Sequence, residues 1–290
     1  MGQRRKPAQA WRKRILIAED NLVNQKVLLT QVENLGYQAD VVVNGSEALD
    51  AVTRQRYPLV LMDCHMPVMD GLTATAEIRR REGDRRHTPI IAVTANVNRE
   101  QCLDAGMDDY LRKPLRQSDL AKAITRWIDR QPPKGSPRGN RERPSKARTK
   151  AAADDSLLDS RELNSLAQDE NAYAFSDATL CRRLAELREE CGAEMVAGFI
   201  GIFVKDTGER LARLRGLAGE QDSAAVEREA HSLKGSCANL GVHRLAALSH
   251  QLETDAEAGS LKTVNESLRG LDSEFERLKP LLSLLETVLS

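Results

Sequence analysis

No Cys-x-x-Cys pair occurs among the five cysteines of this chain, which stand scattered at 64, 102, 181, 191 and 237. An odd, dispersed set argues against a disulfide framework or a zinc site and fits a reducing cytoplasm. Long apolar runs are also missing. The most apolar stretch, Met195–Val204, covers ten residues including two glycines and is too short to cross a bilayer. The N-terminus carries charge but lacks the apolar core of a secretory signal. No Gly-x-x-x-x-Gly-Lys-Ser/Thr loop is present, so ATP hydrolysis is not expected. The basic stretches have no interleaved aromatic residues and no helix-turn-helix follows them, so no nucleic-acid partner is expected. A soluble cytoplasmic protein without a membrane span is left.

What is there begins with charge. The formal net charge is zero over 290 residues, but residues 1–14 hold six Lys/Arg and no acid, and residues 131–150 hold seven Lys/Arg and one acid. Outside them 30 basic residues face 42 acidic ones, so the parts with cores to fold are strongly acidic. The length suits two ordinary domains. Residues 1–13 read as a basic tail, 14–130 as a first domain, 131–175 as a flexible linker and 176–290 as a second domain. The Pro-, Gly- and Lys/Arg-rich sequence of 131–150 has almost nothing to bury and reads as disordered. Leu157–Leu166 has the pattern of a helical turn or two.

In the first domain short apolar runs alternate with amphipathic stretches. Arg14–Ala18, Ala39–Val43, Pro58–Met62, Pro89–Thr94 and Asp109–Arg112 read as strands, and helices are predicted near 22–35, 46–55, 72–82, 98–105 and 117–130. That alternation specifies an α/β fold, a parallel sheet covered on both faces. Ligands of such sheets sit beyond the carboxyl ends of the strands. Glu19, Asp20, Asp63, Thr94 and Lys113 all fall there. From about 176 the pattern is helical throughout, with helices predicted over 177–190, 193–217, 222–240, 243–257 and 261–288, an all-α bundle. Val226, Ala230, Leu233, Cys237 and Leu240 form a core-facing stripe on the third.

Glu19, Asp20 and Asp63 would supply the hard oxygen ligands that Mg2+ prefers, and mutual repulsion poises them to take up a cation. With the metal bound, Asp63 can attack a phosphoryl group and become an acyl phosphate. Lys113 adds positive charge opposite the phosphoryl oxygens and the Thr94 hydroxyl can donate to one of them. Pro114 is a candidate cis-proline. The segments ILIAEDNLVNQKV (15–27), LMDCHMPVMDG (61–71), IAVTAN (91–96) and MDDYLRKP (107–114) resemble the receiver domain of two-component response regulators. The resemblance implies a flavodoxin-like sheet of order 2-1-3-4-5, with Asp63 as phosphoacceptor and Glu19 and Asp20 as magnesium ligands. It also implies that the backbone carbonyl of His65 completes the metal shell. Lys113 would contact phosphate, Thr94 would be the switch hydroxyl and Tyr110 the switch aromatic. Cys64, Cys102 and His87 are assigned to packing or surface.

On the third helix of the second domain, Lys234, Gly235 and Ala238 flank His231 at positions i+3, i+4 and i+7. The core stripe points elsewhere, which leaves the imidazole at the solvent boundary. Lys234 can neutralise phosphoryl oxygens on the ring. A mid-helix glycine costs about 0.5–1 kcal/mol relative to alanine, so Gly235 suggests a steric purpose. AHSLKGSCANLG (230–241) resembles the signature of histidine-containing phosphotransfer (HPt) domains, which implies His231 as phosphoacceptor with Lys234 and Gly235 in support. His243 and His250 lack thiol or carboxylate partners in the sequence and read as surface residues rather than metal ligands.

Neither the asparagine-bearing nor the glycine-rich ATP-lid segments of a sensor-kinase catalytic domain are present. The expected role is a phosphorelay intermediate, not itself an ATP-dependent enzyme. It resembles the last two modules of a hybrid sensor histidine kinase, either alone or cut from a longer chain. Its partners would be a sensor histidine kinase upstream and a response-regulator receiver downstream. The alternative is a phosphorylation-gated binding regulator in which His231 is not phosphorylated. A hydrolase using Asp63 is set aside, since its second acid would fall where this chain has His65. A flexible 45-residue linker would span roughly 35–40 Å, which permits docking of the two domains at about millimolar effective concentration.

Overall fold

The computed structural model describes residues 13–94, 99–128 and 172–290. The expected linker up to residue 171, including the helical turn at 157–166, and the N-terminal tail up to residue 12 lie outside them.

Five strands, β1 (Arg14–Ala18), β2 (Gln38–Val42), β3 (Val60–Asp63), β4 (Ile90–Thr94) and β5 (Asp109–Arg112), form one parallel sheet of order β2-β1-β3-β4-β5. The helices α1 (Leu22–Asn34), α2 (Gly45–Arg54), α3 (Gly71–Glu82), α4 (Arg99–Asp104) and α5 (Gln117–Ile128) connect and flank them. Consecutive strand residues face opposite layers. Leu16, Ala18, Val60, Met62, Ile90 and Ala92 pack with α2, α3 and Cys102 of α4. Ile15, Ile17, Leu59, Leu61, Ile91 and Val93 pack with Leu28 and Val32 of α1 and with α5. Burial on both faces explains why the central strands read as unbroken apolar runs. Cys64 and Cys102 are both buried, their sulfurs 3.6 Å apart.

The second half is helical, as its pattern requires: α6 (Ala172–Cys191), α7 (Ala193–Gly219), α8 (Ser223–Leu240), α9 (His243–Glu257) and α10 (Leu261–Leu289). The predicted stripe on α8 is buried in full, with Phe199, Phe203, Leu252 and Leu271 among its neighbours. Asp222 caps α8 by accepting from the Ala225 N–H at 3.0 Å, and Gly241 ends it in the left-handed conformation (φ +78°). A side chain at 241 would also collide with Arg183. Val23 and Val27 of α1 belong to this bundle's apolar cluster rather than to the sheet's, so α1 lies between the two halves.

Candidate functional site

β1 is followed directly by Glu19-Asp20, and Asn21 turns the chain into α1 by accepting from the N–H groups of Val23 and Asn24. This places the acids beside the neighbouring strand end, where Asp63 closes β3. Oxygens of Glu19, Asp20 and Asp63 lie within 4.8 Å of one another. Gly71, at the start of α3, packs against the back of Asp63. A Cβ there would sit 2.0 Å from the Asp63 carbonyl oxygen, so only glycine fits. Lys113 enters from the end of β5, preceding a cis bond to Pro114, and its Nζ lies 2.6 Å from both Glu19 Oε2 and Asp63 Oδ2.

The electrostatics follow from burial and that ammonium. Burial drives the Glu19 carboxyl up to about 8, against the pull of Lys113 and with help from the Asp63 charge. Burial, then the Asp63 charge, also raises Asp20. Asp63 goes the other way. Burial would raise it, but the charge and hydrogen bond of Lys113, aided by His231 and the His65 N–H, hold it below the usual range. Burial would lower Lys113, but Asp63 and Glu19 raise it. The carboxylate that would act as nucleophile is therefore the ionised one. Three clustered carboxylates are a hard-oxygen donor set of the kind Mg2+ takes, so these residues fit that ion. Thr94 is fully buried at the end of β4, and its carbonyl accepts from the Lys113 N–H at 2.9 Å. Tyr110 is partly exposed, with the Arg99 guanidinium 5.6 Å from its ring centroid. His65 offers its N–H to Asp63 Oδ1 at 3.2 Å.

His231 projects from α8, and its Nδ1 lies 2.6 Å from Glu253 Oε1 of α9. The same carboxylate is paired with Lys234 and, at 3.0 Å, with His250 Nδ1. Burial would raise Glu253, but the hydrogen bonds from the two histidines and the Lys234 charge hold it well below the usual range. An ionised carboxylate only accepts, so Nδ1 of His231 carries the proton between them, and in the neutral ring that tautomer leaves the lone pair on Nε2.

Several sequence expectations are corrected here. His231 is not at the solvent boundary. Its side chain is 12% exposed, and the ring of His65 covers it at a centroid separation of 4.1 Å. Lys234 is buried and paired with Glu253 as well as lying beside the ring. His243 and His250 are not surface residues: the first is buried, the second pairs with Glu253. The nearest atom to a Cβ at Gly235 is the Asn24 amide nitrogen of α1 at an ordinary 3.5 Å, so the space beside this glycine is bounded by the first domain. Glu253 itself escaped the sequence reading. It lies 22 positions beyond His231 on another helix, and only the His250/Glu253 spacing of three hinted at a shared face. Asn24 escaped as well, although its amide donates to Glu19 Oε1 at 2.8 Å.

A sheet of this order with an acid cluster and lysine at its strand ends, beside a bundle carrying a carboxylate-held histidine, defines a pair of phosphoacceptor-type modules. Residues 15–125 match the family of response regulator receiver domains and residues 198–280 match the Hpt domain family. The chain is a receiver domain followed by an HPt domain. Among curated relatives, the sensor histidine kinase GacS of Pseudomonas protegens is 32% identical over 246 residues, 83% of this chain and 24% of that protein. The hybrid signal transduction protein dokA of Dictyostelium discoideum is 46% identical over 117 residues, 40% of this chain and 7% of that protein. The chain thus spans a quarter or less of the length of these relatives. Among solved structures, the receiver domain of sensor histidine kinase PA1611 from Pseudomonas aeruginosa PAO1, with magnesium in its active-site cleft, is 48% identical. That match covers 40% of this chain and 98% of the other, with a TM-score of 0.38.

Proposed function

We propose that the chain is a phosphorelay protein in which Asp63 accepts a phosphoryl group and His231 carries it onward. The observation that carries this is the pairing of an ionised Asp63 beside Lys113 with a His231 whose Nδ1 is engaged by Glu253. Glu19, Asp20 and Asp63, with the His65 carbonyl, would hold Mg2+, which when bound offsets negative charge on the phosphoryl oxygens. Lys113 supplies a further positive charge there, and Thr94 and Tyr110 report the modified state to the surface of α4, β5 and α5. Lys234 and Gly235 support the histidine. The donor is a sensor histidine kinase and the acceptor another response-regulator receiver. No described helix is long and apolar enough to cross a membrane, and the cytoplasm is the proposed compartment.

The transfer step balances on this chain's own atoms. The Nε2 lone pair of His231 forms the new N–P bond while the acyl O–P bond breaks and its electron pair returns to the Asp63 carboxylate. The proton on Nδ1 stays, and Glu253 stabilises the resulting positive ring. Incubation with acetyl phosphate and Mg2+ tests this, with label mapped in wild type, Asp63→Asn and His231→Gln. Alkali-stable label at His231 is expected only where an Asp63 is present. If neither side chain ever acquires label, the proposal is wrong.

A further inference from the structure

Two buried thiols beside the acid cluster take no part in the relay. Cys64 directly follows Asp63 at the end of β3, and Cys102 belongs to α4, 38 positions further on. Each is 4% exposed, and their sulfurs lie 3.6 Å apart. A disulfide needs about 2.05 Å, so a sulfur shift of about 1.5 Å separates this pair from a bond. The element able to supply that shift is α4. Its six residues include Cys102 as the buried one, and the other five are exposed. An element with so little buried surface opens locally at small cost. While α4 lies in place, burial raises the Cys64 thiol well above its usual value and keeps it protonated. When α4 lifts, Cys102 is the sulfur that meets solvent first.

We propose that Cys64 and Cys102 are a redox pair whose disulfide, formed by peroxide, fastens α4 to the residue after Asp63 and thereby lowers phosphorylation of Asp63. The effect on Asp63 rests on the relay reading above; the bond itself does not. The Cys102 sulfur attacks the O–O bond of hydrogen peroxide and becomes a sulfenic acid, and the displaced hydroxide leaves as water with the thiol proton. As the helix returns, the Cys64 sulfur attacks the Cys102 sulfur, the S–O bond breaks, and a second water carries off the Cys64 proton. The two sulfurs lose two electrons in total and the peroxide gains them. On its other side α4 meets the reporting surface, where the Arg99 guanidinium stands 5.6 Å from the Tyr110 ring centroid. A pinned α4 cannot follow Thr94 and Tyr110 into a rearranged state, so the phosphorylated form loses the stabilisation that rearrangement supplies. The Cys64 carbonyl also accepts from the Gly71 N–H at 3.0 Å, so strain at its sulfur reaches the backbone that sets Asp63.

The test uses the full chain, folded, treated with hydrogen peroxide and then alkylated, digested and mapped by mass spectrometry. The expected product is a peptide joining Cys64 to Cys102, two hydrogens lighter than its parts and lost on treatment with a thiol reductant. Labelling of Asp63 by acetyl phosphate and Mg2+ should fall at least about tenfold in the oxidised chain, the rate equivalent of about 1.4 kcal/mol, and return on reduction. Cys102→Ser protein should label like reduced wild type and be indifferent to peroxide. Exposed Cys181 is a second target for the oxidant, so a loss of labelling that persists in Cys102→Ser places the effect elsewhere and overturns the proposal. Absence of the Cys64–Cys102 peptide overturns it too, as does its presence with labelling unchanged. Should Cys102→Ser fail to fold, reversal in wild type decides, and labelling that stays low once the cross-link is reduced overturns the gating. Reduced protein that never labels at Asp63 sinks the relay reading and the gating with it, while the cross-linked peptide still decides the bond.

Discussion

Replacing Glu253 by glutamine removes one negative charge and almost no volume, and three groups register the loss. His231 Nδ1 at 2.6 Å and His250 Nδ1 at 3.0 Å lose an ionised acceptor, and buried Lys234 loses its counter-charge. A hydrogen bond to a charged group contributes about 1.5–3 kcal/mol. Because phosphorylation of Nε2 makes the ring positive while Nδ1 keeps its proton, that contribution falls on the transfer step. At about 1.36 kcal/mol per decade, Glu253→Gln should slow labelling of His231 by about 10- to 150-fold. Stability should also fall, by about 3 kcal/mol, because an unpaired buried ammonium is left behind. The double variant Glu253→Gln/Lys234→Met separates the two effects. It should recover most of the stability in urea melts and little of the transfer rate. Labelling within twofold of wild type in a folded Glu253→Gln protein would refute the assignment of Glu253 as the group that holds His231.

Three further outcomes follow from the geometry. Because burial lifts Glu19 to about 8, a proton competes with any cation for that carboxylate, so Mg2+ affinity measured by calorimetry should rise with pH and level off above about 8. Flat affinity between pH 6 and 8 would contradict this. Gly71→Ala should destabilise the receiver by about 3 kcal/mol in chemical unfolding and abolish Asp63 labelling, since its Cβ would lie 2.0 Å from a backbone oxygen that cannot move without displacing Asp63. Gly235→Ala should do the reverse. With only the Asn24 amide at 3.5 Å, alanine is accommodated and the helix gains about 0.5–1 kcal/mol, read as a higher melting temperature.

The contrast between those two glycines shows where the sequence is legible. Strand ends are, because a parallel sheet collects them at one edge whatever the rest of the chain does. Glu19, Asp20, Asp63, Thr94 and Lys113 could therefore be gathered from the alternation of apolar runs alone. The α8 stripe is legible too, since 3.6-residue periodicity records one buried face. Contacts between helices carry no such periodic mark. Glu253 and His250 meet His231 through the packing of α9 on α8, and local spacing around His231 suggested only a ring at the solvent boundary with Lys234 beside it. The face of α1 that meets the bundle was likewise invisible. Val23 and Val27 look like any core residues, and only the fold shows that they are buried against a different domain from Leu28 and Val32.

Lys113 holds a further consequence. Its ammonium spans Glu19 and Asp63 at equal distances and so ties the end of β5 to the ends of β1 and β3. A phosphoryl oxygen added to Asp63 would compete with Glu19 for that ammonium. The side chain that fastens three strand ends is thus the one that would register a change at the nucleophile.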